Sequence, residues 1–230
     1  MVIPSGLFQY GARRIEFCRE RHASWAVLRK APHSSSEFVT VPAGRYSFLM
    51  SAKTRERILN AAEERLLGGG PGGFVLDAIA ADAGVSKGGL LYHFASKEAL
   101  VAGLCERMLA GFDLALGNSQ ADDETESGAF TRAYVASTVT DEGKPADNSA
   151  RLMAGILATL GHDSAHLDEV RRHFSRWHQR LAVDGLDETT ATIVRLAADG
   201  LWLSALLGLP QLEGDLGART VKALHGLTRS

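Results

Sequence analysis

Residues Val85–Leu100 read VSKGGLLYHFASKEAL, and this stretch decides the fold. Gly84-Val85 forms a small turn ahead of Ser86, whose short hydroxyl side chain is suited to cap a helix by accepting a backbone N–H. A short segment follows over Lys87–Phe94. Ser96-Lys97-Glu98 then repeats the start signal, with a second N-cap serine and an early acid. Upstream, Leu76, Ile79, Ala80 and Ala83 fall on one face of a helix. The order helix, tight turn, short helix predicts a helix-turn-helix, whose second helix enters the DNA major groove.

That geometry assigns roles. Gly88 and Gly89 in the first turn of the reading helix remove side chains that would hold its backbone off the bases. Lys87 can reach a guanine edge or a phosphate. Tyr92 and His93 can donate to phosphates, which fixes register rather than sequence. Lys97 opens the next helix, where free backbone N–H groups also favour an anion. Val75 and Ser86 complete the candidate DNA-facing set, and Leu90, Leu91 and Phe94 are expected to fasten the short helix to the core.

Ile79-Ala80, Ala83–Lys87, His93-Phe94 and Ser96–Leu100 occur in the order and spacing of a known domain. The run over about residues 54–100 resembles the DNA-binding domain of the tetracycline-repressor (TetR) family of bacterial transcription regulators. The resemblance implies an all-α homodimer, with an N-terminal three-helix reading head and a C-terminal helical domain for ligand and dimer contacts. One departure stands out. The family usually carries a tyrosine two places before the histidine, where this chain has Leu91; Tyr92 sits one place later.

Bulk composition agrees with a globular protein. The chain has 230 residues, 45% hydrophobic and 23% charged, enough to bury a real core. A net charge of −2 excludes a generally basic nucleic-acid binder, so DNA contacts must come from locally placed cations. Cys18 and Cys105 show no metal or redox spacing and read as reduced thiols of a cytoplasmic protein. No signal peptide is evident, and the Leu-rich run Leu196–Leu209 is too short for a membrane span.

Residues 1–49 do not resemble the rest. They mix Arg13, Arg14, Arg19, Arg21, Arg29 and Lys30 with scattered aromatics and a serine run. They are expected to be an appended, largely disordered extension, or else a basic arm that adds nonspecific DNA affinity. The reading head then spans residues 50–100 and the C-terminal domain residues 101–230. About nine helices are expected and no strands: Thr54–Leu67, Phe74–Ala83, Lys87–Phe94, Lys97 to about Leu116, Gly128–Thr140, Ala150–Leu160, Ser164–Val183, Asp187 or Glu188 to Leu207, and Gly214–Leu227. The GGGPGG run at Gly68–Gly73 ends the first of these and lacks the ending of a P-loop. An acidic break, Asn118–Ser127, would be repelled by phosphate and belongs away from DNA.

The helix Thr190–Leu207 is apolar nearly all round, so both of its sides must be covered. A second subunit would cover one side, with Ile193, Leu196, Leu203, Leu206, Val221 and Leu224 as interface candidates. The alternative is the central helix of a monomeric bundle. A small apolar or amphipathic effector would contact Met108, Phe112, Phe130, Tyr134, Met153, Phe174, Trp177 and Trp202. A cavity of several hundred Å³, roughly 300–1,000 Å³ for a drug-sized ligand, would favour this ligand-responsive repressor. A filled core would favour a constitutive DNA-binding regulator. His162, His166, His173 and His178 raise a metal question, but no cysteine or carboxylate completes a tetrahedral set, and no metal or cofactor is expected. No nucleophile elbow, zinc-protease motif or P-loop is present, so an enzyme is not expected.

Overall fold

The computed structural model describes residues 7–10, 13–18, 25–29 and 38–229 apart from 124, 126, 161–166 and 213, with side chains from Met50 onward. Two compact units divide at Arg57/Ile58.

The first unit contains what the sequence reading did not foresee. Strands β1 (Leu7–Tyr10), β2 (Arg13–Cys18), β3 (Trp25–Arg29) and β4 (Phe38–Pro42) form an antiparallel meander in the order β1-β2-β3-β4. The aromatic and β-branched residues of Trp25–Arg29 and Phe38–Pro42 suit a pleated backbone. Their near-continuous apolar runs lack the polar alternation that marks a half-buried strand. The register sets Glu16 opposite Arg29.

From Ala43 onward the regular elements are all helices, nine of them among the described residues. Helix α1 (Ala43–Gly73) starts earlier than expected. It is broken at Gly70, whose φ of 59° only glycine adopts freely, with Pro71 directly after it. The reading head continues with α2 (Leu76–Asp82) and α3 (Lys87–His93). Helix α4 (Lys97–Ala121) runs further than expected, so the acidic break begins at Asp122. Helices α5 (Ala129–Thr138), α6 (Ser149–Leu160), α7 (Leu167–Ala182), α8 (Glu188–Leu206) and α9 (Asp215–Leu227) complete the chain. The Asp187 carboxylate caps α8 by accepting the Thr190 N–H at 3.0 Å.

One core runs through the helical unit. Ile58, Leu59 and Ala62 of α1 pack with Ile79, Leu90, Phe94, Leu100 and Leu104, and the same core extends to Tyr134, Ile156, Trp177 and Val194. A buried charge closes the far end. The Arg132 guanidinium donates to Asp123 at 2.5 Å and to the carbonyls of Thr228 (2.8 Å), Thr125 (2.9 Å) and Ser127 (2.9 Å). The α4–α5 connection and the end of α9 are thus held by one side chain, and the Arg132 contact keeps Asp123 below the usual carboxylate pKa.

Removing one member of a buried ion pair leaves the other groups unpaired and costs about 3 kcal/mol. Arg132→Met should therefore lower the unfolding free energy by about 2–3 kcal/mol in urea titrations at pH 7. Because Asp123 is depressed in the folded state, this stabilisation is complete above the ordinary carboxylate pKa. It is lost as pH falls through the folded value, so the gap between variant and wild type should narrow in acid.

Candidate DNA interface and ligand pocket

Both predicted caps form. The Ser86 hydroxyl accepts the Gly89 N–H at 3.0 Å, and the Ser96 hydroxyl accepts the Ala99 N–H at 3.1 Å. Between α2 and α3 the chain turns at Gly84, φ 63°, and the Val85 N–H donates to the Ala80 carbonyl at 2.9 Å. Leu90 and Phe94 anchor α3 in the core.

The outward face of α3 is Lys87, Gly88, Leu91 and Tyr92. Leu91 corrects the expectation that it belongs to the core: it is 37% exposed, beside Tyr92 at 82%. Val75 is also exposed, and His93 is half-buried with its ring edge against Tyr92 at 5.2 Å. Lys87 is held by Asp77 of α2 at 3.1 Å, so DNA would have to displace that carboxylate. Lys97 places its ammonium 5.5 Å from the Phe74 ring centroid at the start of α4. Gly89 differs from the groove-floor expectation. A Cβ there would lie 3.3 Å from the Ser86 hydroxyl oxygen, inside the capping contact, whereas one on Gly88 would meet nothing closer than 4.0 Å.

In the C-terminal half, a cavity of about 40 Å³ lies among α4, α5, α6, α7 and α8. Seven of the eight expected ligand residues line it: Met108, Phe112, Tyr134, Met153, Phe174, Trp177 and Trp202. Phe130 does not; its ring is covered by the Arg180 guanidinium at 3.9 Å. The rings form a continuous wall, with Phe112 at 4.7 Å from Trp177, Trp177 at 5.1 Å from Phe174 and Phe174 at 6.2 Å from Trp202. The cavity is about tenfold smaller than a drug-sized site of roughly 300–1,000 Å³.

Leu109, Thr138, Ser149 and Asp199 also line the cavity and were not read from the sequence. Tyr134 donates to Asp199 at 2.6 Å, Arg195 donates to the other carboxylate oxygen at 3.1 Å, and the His178 ring lies 3.6 Å from it. Burial and the Asp199 charge push the Tyr134 phenol up, so it stays a neutral donor. Burial and Arg195 hold His178 below the ordinary imidazole pKa. Trp177 donates to Asp113 at 2.6 Å and Trp202 to Ser149 at 3.1 Å. His173 sits between Asp113 and Glu169, both at 3.2 Å. His162 and His166 lie outside the described residues.

The face expected to meet a second subunit is split. Ile193, Leu196 and Leu203 of α8 point outward, together with Leu207, while Leu206 is half-buried against the chain's own core. Val221 and Leu224 turn inward, and α9 exposes Leu216 and Leu227 instead.

Residues 58–104 match the family described as "Bacterial regulatory proteins, tetR family", and residues 128–229 match "Tetracyclin repressor-like, C-terminal domain". The chain belongs to the TetR family of transcriptional regulators. Solved structures share its fold. A transcriptional regulator from Rhodococcus sp. Rha1 is 21% identical, covers 76% of this chain and 95% of its own, and has a TM-score of 0.59. The multidrug binding protein EbrR, complexed with ethidium, is 24% identical over 76% of this chain and 97% of its own, with a TM-score of 0.52. NalD, the secondary repressor of the MexAB-OprM multidrug efflux pump in Pseudomonas aeruginosa, is 20% identical over 78% and 96%, with a TM-score of 0.50. No curated protein sequence matches the chain significantly. No helix among the described residues is long and apolar enough to cross a membrane.

The two glycines give a clean test of the reading helix. Ser86→Ala should cost about 1 kcal/mol of stability through the lost cap. In thermal melts, Gly89→Leu should melt below Gly88→Leu, because both changes gain helix propensity but only the Cβ at position 89 crowds the Ser86 hydroxyl.

Proposed function

We propose that this TetR-family chain is a repressor that binds a palindromic operator in double-stranded DNA as a homodimer and is released by a small effector. The observation that carries the reading is the ring-lined cavity, because three of its lining residues, Met108, Leu109 and Phe112, belong to α4, the helix that also starts at the reading head. A ligand larger than about 40 Å³ fits only if these walls move. It then binds the displaced form of α4 better than the closed one, the differential affinity that any ligand-driven shift requires. Methionine walls are suited to such repacking.

Its place of work is the cytoplasm, where the operator lies. Dimerisation is supported by the outward stripe Ile193, Leu196 and Leu203 on α8, continued by Leu207 just past its end. The small cavity favours one second reading, a constitutive DNA-binding regulator. Release of operator DNA by a bound effector separates the two.

Leu203→Asp should yield monomers by light scattering at micromolar concentration and abolish operator binding without lowering the melting midpoint of the monomer fold. A wild-type protein that is monomeric under the same conditions sinks the dimer reading. Lys97→Ala should weaken operator and random DNA about equally and reduce the slope of log affinity against log salt by about one per subunit. A changed sequence preference in that variant would instead place Lys97 against bases.

A further inference from the structure

We propose that the cavity takes an uncharged, flat aromatic molecule with one hydrogen-bond acceptor at its edge, and that the Ser149 hydroxyl donates to that acceptor. This rests on the effector-binding reading above. A continuous wall of rings favours a flat, stackable partner. The polar groups of that wall are already occupied: the Tyr134 hydroxyl by Asp199, the Trp177 N–H by Asp113 and the Trp202 N–H by Ser149. Thr138 donates its hydroxyl to the Tyr134 carbonyl at 2.7 Å. Ser149 differs: its oxygen accepts from Trp202, and among the described residues no acceptor takes its own hydrogen.

Charge argues against an ionic ligand. Asp199 is the one charged residue among the lining groups, and it is already paired with Arg195 at 3.1 Å. A ligand cation would shed its water and then share that carboxylate with the like charge of Arg195, which leaves its desolvation uncompensated. A ligand anion would meet Asp199 itself. A neutral molecule meets neither penalty.

The test uses the full chain and three flat probes of similar size: 9-fluorenone, fluorene, which lacks the carbonyl, and the cation N-methylacridinium. Binding is read by calorimetry. The expected order is fluorenone tightest, fluorene about fivefold weaker for one lost hydrogen bond, and the cation weakest. Ser149→Ala should bring fluorenone down to the level of fluorene and leave fluorene within about twofold. Tightest binding of the cation, or an equal loss of both neutral probes in Ser149→Ala, overturns the ligand class and leaves effector binding standing. Absence of binding by all three overturns both.

A separate observation concerns α3. We infer that Leu91 reads a thymine by its methyl group. Leu91 lies between Lys87, Gly88 and Tyr92 on the outward face of a helix whose inward residues, Leu90 and Phe94, are buried. An isobutyl group cannot hydrogen-bond, and the apolar group that marks one base in the major groove is the C5-methyl of thymine. The experiment takes DNA sites selected in vitro with the full chain and replaces each thymine of a half-site by uracil, which removes that methyl alone. One replacement should weaken wild-type binding about fourfold, the effect of burying one methyl-sized group. Leu91→Ala should be insensitive to the same change. If no thymine shows the effect, or Leu91→Ala remains equally sensitive, the inference is wrong.

Discussion

Helix α4 is the constraint on which the rest depends. It is continuous over its 25 residues, about 37 Å at the usual helical rise. Its first turn is capped by Ser96 beside the reading helix, Leu100 and Leu104 fill the head's core, and Met108 and Phe112 wall the cavity. A long helix curves gently and kinks sharply only at an identifiable break; α4 holds no proline, and its glycines, Gly103, Gly111 and Gly117, lie within one unbroken helix. Whatever displaces Met108 therefore acts on the same rod that positions the head.

The attachment of that rod is polar as well as apolar. Arg107, next to Met108, reaches α1: it donates to the Asn60 amide oxygen at 2.6 Å and to the Leu59 carbonyl at 3.2 Å, and it pairs with Glu63. One turn further along α1, a Cβ on Gly155 of α6 would lie 3.3 Å from Leu66. Helix α1 is thus gripped by α4 and α6, and both helices contribute residues to the cavity. A close approach at Gly155 would pass on any displacement of α6, because packed interiors have little compressibility.

How much of this was legible depends on where the signal lies. Serine caps and the Gly84 turn are written in adjacent residues, and they form as read. The cavity walls were legible because each is a large apolar residue recurring at helical spacing, and seven such residues converge. Phe130 shares a helix face with Tyr134, yet its ring is covered by Arg180, fifty positions away, which spacing does not reveal. Leu90 and Leu91 read as one apolar pair, but neighbours on a helix point about 100° apart, and on this short helix Leu90 faces the core while Leu91 turns outward. Val221 and Leu224 show the same ambiguity: an apolar helical stripe says that a face is covered, not by which chain. Strands β3 and β4 are near-continuous apolar runs without alternation, and β1 and β2 are short and interrupted by polar residues, so none carries a clear period-two signal.

Asp199 shows most clearly why polar function is harder to read than shape. In the sequence it is a single acid within an apolar helix. In the fold it is the point where α5, α7 and α8 meet, through Tyr134, His178 and Arg195. A carboxylate placed among aromatic rings would be costly unless its donors were supplied by the chain itself. The hydrogen bond from Tyr134 and the pairing with Arg195 supply them, and the cavity keeps apolar walls despite the acid at its edge. On the proposed effector-binding reading, the site's selectivity would follow from what is left over rather than from what is most charged: ring faces, thioethers and one serine hydrogen.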